Sequence, residues 1–249
     1  MRRASLFVAA VLLSALYTLP LVGQTPSGSA QETPASLAAT YHQAMQAKDW
    51  LAAVTAAEKL VALSPTAENI KWLGDAQLNA GSANKDTDAM TAALATYDRA
   101  LAAAQQEKPP EGQPDAAWKT LLGNIYASKG NALLKLRRNS EAIAAITLAA
   151  ETAPNPGLAY FNLCAVMYNI GDMNGAAPAC RKAAQAEPAR ADAWFLLGSI
   201  LYANSTKTDS SGKFIVDAEC LQALKKYLEL APSGPHADDV KTMLDMAAK

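Results

Sequence analysis

Residues 157–190, GLAYFNLCAVMYNIGDMNGAAPACRKAAQAEPAR, decide the architecture of this chain. Tyr160, Leu163, Cys164 and Met167 stand at i, i+3, i+4 and i+7, which is one face of a helix. Ala176, Cys180 and Ala183 repeat that kind of spacing on a second segment, and Asn169-Ile170-Gly171-Asp172 joins the two. A proline, Pro188, closes the stretch. The pattern predicts two short helices packed against each other, and it recurs on both sides.

Three anchor columns carry the recurrence. Tyr126, Tyr160 and Trp194 are spaced by 34 residues, as are Gly130, Cys164 and Gly198. Ala142 pairs with Ala176, Ala149 with Ala183, and Pro154 with Pro188 at the same step. This period and its order of large apolar, Leu, small, then Ala and Pro resemble the tetratricopeptide repeat. Trp194-x2-Leu197-Gly198 fits the opening of the family pattern closely, with Leu201 in place of its Tyr. Such helix-turn-helix units bury their apolar faces only by stacking on neighbours.

The other units depart from the pattern at definable places. Ile70-x2-Leu73-Gly74 opens a unit whose second helix carries Ala93-x3-Tyr97. Ile70 to Ala93 spans 23 residues where Tyr160 to Ala176 spans 16, and the surplus of seven is read as a Gly/Asn/Asp-rich loop over 82–89. In the first unit Asp49 is the expected N-cap of a second helix. The last unit is stretched by ten residues around NSTKTDSSGK (204–213), which reads as turn chemistry with a small hairpin over 213–216. Pro235 to Ala248 reads as one helix, with Asp238 and Asp239 at the positive end of its dipole. The expected fold is therefore all-α, a tetratricopeptide superhelix over 36–249. Its units fall at about 36–66, 67–108, 114–156, 157–190 and 191–234, and a capping helix follows at 235–248.

Composition bounds the function. A formal charge of −1 offers no electrostatic footprint for nucleic acid. Arg2-Arg3 followed by an apolar run from Ser5 to Tyr17 reads as a signal peptide over 1–23, with cleavage after Gly23 or Ala30. The rival reading is an uncleaved membrane anchor over 4–23, which Pro20 and the small residues after it disfavour. Residues 24–35, QTPSGSAQETPA, read as a flexible tether. The chain is expected to be exported, to the periplasm or cell envelope, with membrane contact through 4–23 alone if that segment is retained. Asn204-Ser205-Thr206 is a glycosylation sequon, discounted because the Ala-rich chain reads as bacterial.

No pattern of a hydrolase, metalloprotease or nucleotide-binding loop occurs, and His42 and His236 are isolated. The expectation is a non-catalytic chain without metal or cofactor. Export favours pairing among Cys164, Cys180 and Cys220. The resemblance places Cys164 and Cys180 on facing helices, at columns that pack together, so they are the candidate disulfide and Cys220 is left over. The alternative is that all three fill Gly/Ala columns as small apolar side chains.

The resemblance also implies a binding surface. In tetratricopeptide proteins the first helix of each unit lines a concave groove that takes extended peptides or partner helices. Carried over by column, that groove includes Lys71, Trp72, Asn131, Lys135, Phe161, Asn162, Tyr168, Asn169, Phe195, Ser199 and Tyr202. Aromatics with amides suit protein recognition. One subtype clamps a C-terminal carboxylate with two Asn and three cations. Asn131 and Asn162 fall in its Asn columns, but Ala127, Asp192 and Leu196 occupy the cation columns, so that clamp is not expected. The implied function is a scaffold binding a protein or peptide in its groove. The alternatives are an envelope assembly or chaperone-like component binding through its convex face or inserted loops, and a thiol redox protein using Cys180 beside Arg181 and Lys182.

Overall fold

A computed structural model describes residues 32–113, 115–205 and 215–248. The expected leader or anchor, most of the 24–35 tether and most of the 204–213 loop lie outside the described residues.

Eleven helices occur among the described residues, and no strand. They run as hairpins: α1 (Pro34–Ala47) with α2 (Trp50–Leu63), α3 (Ala67–Asn84) with α4 (Thr87–Gln106), and α5 (Ala116–Lys135) with α6 (Asn139–Thr152). Then come α7 (Gly157–Asn169) with α8 (Met173–Ala186), and α9 (Ala191–Asn204) with α10 (Ala218–Leu230). The last, α11 (Ala237–Ala248), packs against α10. Each helix packs on the next along the chain. In addition α3 touches α5 and α7 touches α9, while no two even-numbered helices pack comparably. The odd-numbered helices thus crowd along one side of the array and the even-numbered ones splay on the other.

Four of the hairpins share one turn chemistry. Lys48, Lys85, Arg137 and Gly171 each take a left-handed conformation, with φ of 58°, 55°, 57° and 85°. The next residue then sends its N–H back to a carbonyl five positions earlier: Asp49 to Ala44, Asp86 to Gly81, Arg138 to Leu133 and Asp172 to Met167, all at 2.8–2.9 Å. This closes the first helix. In three of the four turns the same residue opens the second helix, because Asp49, Asp86 and Asp172 accept from the N–H groups of Ala52, Ala89 and Gly175. Asp49 therefore caps α2 as its position predicts.

Between the two helices of a unit, a small residue faces a bulky one. A β-carbon placed on Gly74 would lie 2.7 Å from the Tyr97 ring, on Gly130 2.5 Å from Ile146, and on Gly198 2.6 Å from Leu224. These glycines are required by close approach. In the α7–α8 unit the same two columns hold Cys164 and Cys180, joined as a disulfide with Cα atoms 4.9 Å apart. Cys220 is free and buried, its thiol donating to the Gly198 carbonyl at 3.4 Å.

Two expectations need correction. The surplus around 82–89 is no loop: α3 continues to Asn84, α4 begins at Thr87, and Lys85-Asp86 alone turns the chain. Seven residues make about two helical turns. Shared between the two helices, they lengthen the hairpin while returning the apolar faces to register. Gly81 is there because a β-carbon would strike Met90, not because the chain turns. At the other end α11 starts at Ala237, and Pro235 sits in the preceding turn. Ile215 and Val216, at the end of the expected hairpin, lie in no strand, and Lys213 and Phe214 are outside the described residues.

Candidate functional site

On the crowded side, α5 and α7 form the walls of a cleft of about 320 Å³, and α6 supplies its floor through Ile146 and Ala149. Asn131 and Ala127 stand on the α5 wall; Asn162, Val166 and Asn169 stand on the α7 wall with Ala159 and Ala165. Helical spacing assembles each wall. Ala127 and Asn131 are four apart, and Asn162, Val166 and Asn169 stand at i, i+4 and i+7. The three asparagines are exposed, and no internal hydrogen bond among the described residues uses their side-chain amides. Each amide offers an acceptor oxygen and two N–H donors, the complement of a peptide backbone. The cleft carries no charged group. Ala127, in one of the cation columns of the carboxylate-clamping subtype, is itself part of the wall.

The structure thus brings Asn131, Asn162 and Asn169 together and separates them from the remaining candidates. Lys135 reaches to α3, donating to the Ser82 hydroxyl at 3.0 Å. Lys71 donates to Asp75 at 2.6 Å, and the Tyr97 hydroxyl donates to the same carboxylate at 2.8 Å. Burial, with Asp75 nearby, holds the Tyr97 and Tyr41 hydroxyls far above the usual tyrosine range. Trp72 stacks on Tyr41 with ring centroids 5.2 Å apart and meets His42 edge-on at 4.7 Å, so it ties α3 to α1. Phe161 packs with Ala183, Ala184 and Ala193, and the Arg190 guanidinium covers its ring at 5.0 Å. Tyr168 is half-buried against the core that includes the disulfide.

The three groove candidates on α9 are covered by the chain itself. Phe195 stacks on His236 at 3.8 Å with the rings nearly parallel, and the Tyr202 hydroxyl donates to the Met246 sulfur at 3.6 Å. Ser199 is buried. The segment from His236 through α11 packs on Phe195 and Tyr202, on the face they were expected to offer a partner.

Sequence reasoning missed a second concavity of about 510 Å³, lined by Glu68, Glu107, Trp118 and Asn124 among others. It exists because α5 begins seven residues ahead of Gly123, which falls where Gly157 opens α7. Trp118 anchors this extension by donating from its indole N–H to the Ala104 carbonyl at 2.6 Å. Glu107 is committed to structure, accepting the Ala67 N–H at the start of α3 at 2.7 Å. The signal available in the sequence was Trp118 itself, too large to stand in a linker.

The cations beside Cys180 are turned elsewhere. Arg181 makes a two-pronged contact with Glu219, and Lys182 lies 4.8 Å over the Tyr160 ring. Burial, with Asp217 and Glu219 nearby, pushes the Cys220 thiol up to about 11, which keeps it protonated at neutral pH. Among the described residues no group of three His, Cys, Asp or Glu is placed to hold a metal ion, and no helix is long and apolar enough to cross a membrane.

No family model and no curated protein matches this sequence. Solved structures do match its fold. YrrB, a TPR protein with an unusual peptide-binding site, superposes with a TM-score of 0.54 at 16% identity, covering 84% of this chain and 92% of its own. MamA from Desulfovibrio magneticus RS-1 gives 0.54 at 16% identity over 83% and 99%. PilF of Pseudomonas aeruginosa gives 0.55 at 13% identity over 86% and 87%. At such identities the likeness is one of fold, and a fold does not by itself assign a function. Hairpin order, the 34-residue period and these neighbours agree that the chain has the tetratricopeptide-repeat fold.

Proposed function

We infer that this protein is a non-catalytic interaction scaffold that holds an extended peptide, or one edge of a partner helix, in the cleft between α5 and α7. One observation carries the reading: Asn131 faces Asn162 and Asn169 across an apolar floor, and none of the three amides is used by another of the described residues. Amides bond the backbone of an extended chain in either direction, while Ile146, Ala149 and Val166 leave room for small apolar side chains. A chain terminus is a poor ligand here, because no cation offsets the desolvation of a carboxylate. The buried Cys164–Cys180 bridge supports an exported protein acting in an oxidising compartment such as the periplasm.

The reading is tested by selecting peptides from a displayed random library on the full chain and repeating the selection on Asn131→Ala/Asn162→Ala. Two lost hydrogen bonds at about 1 kcal/mol each weaken a cleft-bound peptide roughly thirtyfold. Peptides that bind the double variant as tightly as the parent overturn it. Export is checked by N-terminal sequencing of the protein from cells: a start after Gly23 or Ala30 agrees, and an intact Met1 in the membrane fraction favours the anchor.

A further inference from the structure

We propose that the Cys164–Cys180 disulfide gates the α5–α7 cleft, holding it in its binding shape when oxidised and releasing it when a protein dithiol reduces the bond. This rests on the cleft being the binding site. Its first support is placement. Asn162 and Val166 flank Cys164 two residues away on either side, so the cleft wall and the disulfide occupy opposite faces of α7. Whatever sets the distance from α7 to α8 therefore sets the position of the wall.

The second support is the comparison among units. Gly74 with Tyr97, Gly130 with Ile146 and Gly198 with Leu224 fill the same columns by close packing, which needs no bond. Among these four hairpins only α7–α8 fills the columns with a bond that can be undone. Reduction replaces a sulfur–sulfur bond of about 2 Å by a non-bonded contact of about 3.5–4 Å. Packing elsewhere in the interior leaves no slack for that change, so α7 and α8 must separate or rotate.

The third support is access. Both sulfurs are buried, so reduction needs local opening, and α8 is built to open. Pro178 lies inside α8, two residues before Cys180, and leaves the Asn174 carbonyl without its helical donor. A thiolate of the reductant attacks the Cys180 sulfur, the bond to Cys164 breaks, and Cys164 leaves as a thiolate and takes a proton. The reductant's second thiol then displaces Cys180, which is protonated in turn. Two electrons and two protons reach the protein, and the reductant ends as a disulfide.

The experiment is hydrogen exchange on the full chain, with and without dithiothreitol, with thiols counted to confirm reduction. Loss of protection by tenfold or more over 157–186 and over the α5 wall at 127–135, with the distant α1–α2 hairpin at 34–63 unchanged, is the expected result. Unchanged protection at 127–135 in protein with three free thiols overturns the proposal. The variant Cys164→Gly/Cys180→Ile recreates the Gly130–Ile146 pair and should be protected equally with and without reductant; sensitivity of this variant also overturns it. A library-selected peptide whose binding needs Asn131 serves as the second readout, its affinity falling about tenfold on reduction of the parent alone. Failure to select such a peptide counts against the cleft as the binding site, while the exchange data still decide the gate.

Discussion

The α3–α4 and α7–α8 hairpins solve one packing problem by different means. In the first, helices of 18 and 20 residues close on a glycine, and the Tyr97 ring fills the space over Gly74. Its hydroxyl is satisfied by Asp75, which Lys71 neutralises. In the second, helices of 13 and 14 residues carry small side chains, a proline interrupts α8, and a disulfide occupies the corresponding columns. An interior proline costs about 3 kcal/mol. Closing a loop of about 15 residues with a disulfide stabilises by about 3 kcal/mol. The two nearly cancel. A hairpin with long helices and a buried aromatic stands on packing, and one with short, interrupted helices needs a covalent tie.

That contrast can be broken from either side. The largest effect is expected from Tyr97→Ala, which empties a fully buried aromatic site and leaves Asp75 with one partner fewer. A loss of about 3–5 kcal/mol is expected, read from denaturant unfolding followed by circular dichroism. A loss below about 1 kcal/mol would show that the long helices hold without their ring. Next comes Cys164→Ala/Cys180→Ala, expected to cost about 3 kcal/mol and to lower Tm by about 6–12 °C in calorimetry. An unchanged Tm would mean that the bridge only decorates a hairpin already stable. Smallest is Pro178→Ala. Restoring the helical bond gains about 3 kcal/mol, offset by about 1 kcal/mol because the unfolded chain is freed as well. Net stabilisation of about 2 kcal/mol should be larger in the Cys164→Ala/Cys180→Ala background if the bridge compensates for the proline, and equal in both if it does not.

Most of the fold was legible because each repeat restates the same columns. Tyr126, Tyr160 and Trp194 fix the period, and the family resemblance that follows from it places Cys164 opposite Cys180, leaving open the bond that the structure has. The cleft was partly legible for the same reason, since Asn131 and Asn162 sit in known columns. What stayed hidden depended on contacts between distant positions. Gly81-Ser82-Ala83-Asn84 has the composition of a turn, and nothing local reveals that Gly81 serves an approach to Met90. Phe195 and Tyr202 have the right columns for a groove, but His236 and Met246 cover them from more than 40 residues away. Phe161 was readable either as a groove aromatic or as packing between neighbouring helices, and Ala183, Ala184 and Ala193 with the Arg190 side chain, anchored by Glu187, give it the second role.

The left-handed residue at Gly171 has a consequence for how the chain acquires its one covalent link. The Gly171-Asp172 turn is complete once about six residues are in place, since its defining bond runs from the Asp172 N–H to the Met167 carbonyl. Helix formation and short-loop closure take about a microsecond or less, far ahead of thiol oxidation, which takes seconds or longer. Cys164 and Cys180 are therefore already neighbours when an oxidant arrives, while Cys220 belongs to a later hairpin where the Gly198 carbonyl accepts from its thiol. The turn acts as a proofreader of sulfur pairing: by order of events, it leaves a three-cysteine chain a single correct partner to choose.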